Sequence, residues 1–236
     1  MIATTALVRH FELGNLILRK LDASAAAQVM PSGWRTPLTD SERSMHGCMA
    51  GEWIFVSGLA ESLHPIFRYQ LIMNPEGGSD NFGQTVVALL GAPLFQRQDS
   101  INKHADHYSR IVELLDVPLD RYPEGHAVSV ELARQAAVWP RSPYNLVGSW
   151  IVSQGAGDYF NYGARVGDIE GVRRAALAAV TLRAANVPIE NVEQALMTTE
   201  LKDPYVGRPF EWVATERAIR FRGLQEGERG EHLLHY

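Results

Sequence analysis

A chain of 236 residues with 46% hydrophobic and 21% charged positions can bury a sizeable core and is too apolar to be intrinsically disordered. Its net charge of −5, with acids and bases interleaved and no basic run denser than the three arginines of Arg217 to Arg222, argues against nucleic acid and against a polybasic membrane-surface patch. A single cysteine, Cys48, excludes an intramolecular disulfide and a cysteine-based zinc site; within MHGCMAGEW it reads as a small buried hydrophobe.

No apolar run reaches the roughly 20 residues that span a bilayer; Trp53 to Leu59 and Gln84 to Phe95 are too short. Arg9, His10 and Glu12 interrupt the apolar start, so it does not read as a signal peptide. The chain is expected to be soluble, with a removed upstream anchor left open.

From Ile2 to Leu21 the residues Leu7, Phe11, Leu18 and Leu21, with Leu13, Leu16 and Ile17 nearby, follow helical spacing and predict an amphipathic helix. A short alanine-rich helix, Ser24 to Met30, ends at Pro31-Ser32-Gly33. Thr39-Asp40-Ser41-Glu42 has the form of a capping box, in which the threonine hydroxyl and the glutamate carboxylate satisfy each other's end of the first turn. It predicts a helix to about Leu63, with Met45, Met49, Trp53, Val56 and Leu59 on one face. His64-Pro65 stops or kinks that helix, and Asn74 to Gly83, NPEGGSDNFG, reads as a surface loop.

Gln96 to Asp116 predicts a further helix with Ile101, Tyr108, Ile111, Val112, Leu114 and Leu115 inside. Pro118 to Gly125 and Trp139 to Pro143 read as linkers, with shorter helices over Val128 to Val138 and Asn145 to Gln154. Gly155-Ala156-Gly157 is expected to interrupt the chain before a long helix over Asp158 to Asn186, N-capped by Asp158. In that helix Gly163, Gly167, Gly171, Ala175 and Ala179 recur every fourth residue, forming a row of very small side chains. Glycine in a helix interior costs about 1 kcal/mol against alanine, so three on one line imply close packing, with a neighbouring backbone as the expected occupant. Intramolecular packing is the simpler reading, and a homodimer across the row stays open. Glu170 and Arg174 make an i,i+4 pair.

After a brief helix from Val187-Pro188 to Met197, Phe210-Glu211-Trp212 and Ile219-Arg220-Phe221 alternate apolar and polar residues and predict a β-hairpin. Pro204 and Pro209 stiffen the turn before it, Gly207 can adopt a positive φ, and Tyr205, Phe210 and Trp212 can clamp the hairpin to the helices. The expected fold is therefore mainly α: a single helical domain over 1–223, with a lobe boundary open near 118–125, a small C-terminal hairpin, and a flexible tail over 224–236.

Chemistry-bearing patterns are sparse. His104 and His107 lie one helical turn apart and could offer two imidazoles to a metal, with Asp99 or Asp106 as an oxygen ligand. No H-E-x-x-H accompanies them, and two hydrogen-bonded structural histidines are the plainer explanation. Glu52, Glu61 and His64 lack any partner visible in sequence that would shift a pKa. Ser149 and Ser153 have no G-x-S-x-G elbow, and Gly155-Ala-Gly157 no preceding strand or Lys-Ser/Thr ending. No catalytic residue and no cofactor is assigned.

Asp203-Pro-Tyr-Val-Gly-Arg-Pro-Phe-Glu-Trp212 followed by Ile219-Arg-Phe-Arg-Gly223, after the arginine-containing helix Gly171 to Ala185, resembles the closing pattern of uncharacterised bacterial inner-membrane-anchored proteins with a helical periplasmic domain. The resemblance covers about the last third of the chain. It implies a location at the periplasmic face of the inner membrane and a non-enzymatic role binding a protein or envelope component; the anchor helix of that pattern is missing here. The alternative is a metal-binding protein or hydrolase-like enzyme using His104, His107 and a carboxylate.

Overall fold

The computed structural model describes residues 2–62, 95–136, 143–225 and 227–236. Its helices are α1 (Ile2–Leu18), α2 (Ala23–Val29), α3 (Asp40–Arg43), α4 (His46–Ser62), α5 (Arg97–Leu115), α6 (Tyr122–Ala136), α7 (Leu146–Ala184) and α8 (Val192–Thr198). Three strands follow, β1 (Glu211–Val213), β2 (Ala218–Arg222) and β3 (Glu231–His235), forming an antiparallel sheet in the order β1-β2-β3. The fold is mainly helical with a small C-terminal sheet, as the periodicities imply. His64, the 74–83 loop and residues 139–142 lie outside the described residues.

The chain divides into two compact units, one of Met1–Arg43, Val117–His126 and Asn161–Tyr236, the other of Ser44–Asp116 and Ala127–Phe160. Two crossings between units, at 116/117 and 126/127, flank the 118–125 stretch where a lobe boundary was left open.

In the first unit, the C-terminal part of α7 carries the core. Gly163, Gly167, Gly171, Ala175 and Ala179 are all buried. At Gly167 and Gly171 aromatic side chains, rather than a neighbouring helix backbone, stand against the row. A Cβ on Gly167 would meet the Tyr205 hydroxyl at 2.5 Å and the Tyr122 ring at 3.0 Å, and one on Gly171 would overlap the tip of the Phe221 ring. The glycines thus make room for flat side chains arriving from remote segments. Similarly, Gly14 of α1 accepts the edge of Trp34, whose ring would stand 2.6 Å from an added Cβ.

The turn before the sheet has the expected geometry. Gly207 has φ +65° and donates to Asp203 O, while Asp203 Oδ1 accepts from Tyr205 N at 2.8 Å. Pro204 and Phe210 are buried, Pro209 is half-buried, and Trp212 meets Tyr236 edge-on at 5.9 Å.

Four local expectations are corrected. The capping box forms, with Thr39 N donating to Glu42 Oε2 at 2.8 Å and Glu42 N to Thr39 Oγ1 at 3.3 Å. It caps only α3, because the chain breaks at Ser44-Met45 and Ser44 Oγ then accepts from His46 N to start α4. Gly155-Ala-Gly157 does not interrupt α7: with no proline between Pro143 and Pro188, the glycines weaken a continuous helix without ending it, and Asp158 is interior. The 118–125 stretch ends by starting α6, with Pro123 in its first turn, where a missing N–H is harmless. The tail over 224–236 is not a loose end: β3 pairs with β2 from Ala218↔His235 to Arg222↔Glu231 and buries His232 and Leu234.

Candidate functional site

Two places concentrate polar or unsatisfied groups, one in each unit. In the first, Asp168 follows Gly167 on α7 and is only 2% exposed. Its Oδ1 accepts from the Tyr205 hydroxyl at 2.7 Å and from Leu224 N at 2.9 Å, and Gly223 closes directly over its carboxyl. Burial pushes the Asp168 pKa up, against the opposing pull of the Tyr205 hydrogen bond. Burial also pushes Tyr205 well up. On the sheet, His232 stacks on Phe221 at 6.0 Å and pairs through Nδ1 with Glu12 of α1 at 2.9 Å. That hydrogen bond holds Glu12 below the usual carboxylate range.

One turn on from Gly167, Glu170 is fully buried and pairs with Arg173 at 2.6 Å and Arg174 at 2.8 Å. Burial alone would raise Glu170; the two guanidinium groups outweigh it and hold the carboxyl below its ordinary range. Arg173 also donates to Trp34 O, and Glu170 accepts from Leu38 N. Asp168 and Glu170, the buried acids of this unit among the described residues, therefore each tie the long helix to a distant segment. A phenol, backbone amides and guanidinium groups are the partners, with no nucleophile among them, so the arrangement fastens the fold.

In the second unit, His104 and His107 do lie one turn apart on α5. His104 is 3% exposed, on the buried side with Ile101, Tyr108, Ile111 and Leu115. Among the described residues neither ring nitrogen has a hydrogen-bond partner, and the ring sits 5.7 Å from that of Tyr108. Burial, helped by the neighbouring His107, lowers its pKa to about 4, so it is a neutral core imidazole at pH 7 rather than the hydrogen-bonded surface group expected. Asp99 is committed to Lys103 at 2.7 Å and Asn145 at 2.6 Å, and Asp106 is exposed. Among the described residues no group of three His, Cys, Asp or Glu side chains is placed to hold a metal. Glu61 is exposed.

The feature that sequence reasoning missed is the open side of α4. It packs on α5, burying Met45 just before it and Met49 within it. At 100° per residue, Gly47, Gly51, Ile54, Phe55 and Gly58 share the opposite side. Ile54 and Phe55 are each 65% exposed, and a Cβ on any of the three glycines would meet nothing within 4 Å. Cys48, expected to be buried, is exposed. The signal was legible as an almost uncharged helix, HGCMAGEWIFVSGLAES, carrying only Glu52 and Glu61. Beside this face, between α4 and α5, runs a groove of about 370 Å³.

No family model, curated protein or solved structure matches the chain.

Proposed function

We propose that this chain is a non-enzymatic binding domain that receives a helix of a protein partner on the open side of α4. The observation that carries the reading is the pair Ile54 and Phe55, each 65% exposed on a helix that is apolar nearly all round. A surface helix normally turns charge to water, and one apolar on every side is normally enclosed. Gly47, Gly51 and Gly58, open on that side, let a second helix backbone come close, as small residues four apart do in other helix pairs. The same face suits a different protein or a second copy of this chain. Placement at the periplasmic face of a bacterial inner membrane rests on the resemblance of residues 203–223, and an apolar segment of about 20 residues encoded upstream would support it.

The test is photo-crosslinking in the source cell with a photoreactive residue at position 55. One dominant protein adduct, lost when Gly51→Leu is added, is expected; its mass distinguishes a homodimer from another partner. Adducts with lipid alone, or none, would overturn the proposal.

A further inference from the structure

The groove between α4 and α5 differs in chemistry from the open side of α4. Its walls include Met49, Trp53, Tyr108 and Val112, and its polar lining includes His46 and Glu113. The volume, about 370 Å³, falls within the range of small-molecule sites. Glu113 is exposed and makes no hydrogen bond or ion pair among the described residues, and no lysine or arginine lines the groove.

We infer that this groove binds an organic cation with an apolar body, of the arylalkyl- or alkylammonium class. Trp53, 37% exposed, presents the aromatic surface, with the largely buried Tyr108 behind it, and an aromatic face attracts a cation through the ring quadrupole as well as covering hydrocarbon. Glu113 supplies the opposite charge. An anion of the same size would be repelled by that carboxylate, and a neutral body would gain nothing from it. The site does not rest on the docking of a partner helix: Trp53 points about 100° away from Ile54 and about 160° away from Gly51 on the same helix.

The experiment is calorimetric titration of the purified chain with three matched probes, 3-phenylpropylammonium, 3-phenylpropanol and 3-phenylpropionate. Saturable one-site binding of the cation is expected, about tenfold or more tighter than the alcohol, with the carboxylate weakest. Glu113→Gln should weaken the cation about threefold and leave the alcohol unchanged. Trp53→Leu should weaken both, with circular dichroism confirming that each variant folds. Equal affinity for cation and alcohol, an unchanged cation affinity in Glu113→Gln, or no binding up to about 10 mM would each overturn the assignment.

Discussion

The ring of Phe221 occupies the space that a side chain on Gly171 would need. A hydrogen on Gly171 is thus part of the core, and the ring in turn stacks on His232 and meets Phe210 edge-on. Gly171→Ala must displace an enclosed aromatic side chain and is expected to destabilise the fold by about 1–3 kcal/mol, although alanine is the better helix former. Urea unfolding of the variant against wild type measures it; an unchanged midpoint would show that the ring can step aside.

Gly51 gives the opposite sign. Its Cβ direction is open, so Gly51→Ala should stabilise α4 by about 0.5–1 kcal/mol through helix propensity alone. Gly51→Leu should keep the fold and abolish the crosslink from position 55. Gain of stability with loss of partner is a combination that a purely structural glycine does not produce.

Breaking the buried Glu170 pair should be costly. Glu170→Gln leaves Arg173, itself buried, without its charge partner, and removal of one member of such a pair typically costs about 3–5 kcal/mol. Thermal unfolding reads the loss. Replacing Glu42, an exposed carboxylate of the capping box, by Ala should lower the unfolding midpoint far less than Glu170→Gln does.

The pH dependence follows from His104. Its folded pKa, about 4, lies below the ordinary 6.5, so between those values the unfolded chain binds the extra proton and stability falls as pH drops. Glu12 and Glu170, held low in the fold, add to the same loss below about pH 4.5. Asp168 works the other way, because its raised pKa favours the fold at low pH and that contribution fades as pH rises through its folded value. His104→Leu should flatten the slope of unfolding free energy between pH 6.5 and 4, removing a contribution on the order of 2–3 kcal/mol. An unaltered slope would move the acid sensitivity elsewhere.

For the metal reading, elemental analysis of the purified chain is expected to give the same background metal content for wild type and for His104→Ala with His107→Ala. A stoichiometric transition metal lost in the double variant would reverse this and make α5 a ligand-bearing helix.

Local pattern was enough for the helical class, the capping box at Thr39 and Glu42, the positive φ of Gly207 and the hairpin, since each depends on residues within a few positions of one another. It was not enough for β3: EHLLH is short and polar, and only the edge of β2 turns His232 and Leu234 inward. Nor did spacing separate the two glycine patterns. Gly167 and Gly171 stand four apart on α7, as Gly47 and Gly51 do on α4. The first pair is filled by Tyr205 and Phe221, whose positions in the chain are far from α7's own turns; the second meets nothing. A row of small side chains sets how closely something can approach, and that is a property of the sequence. What approaches, or whether the row is left for a partner, depends on where the rest of the chain lands when it packs.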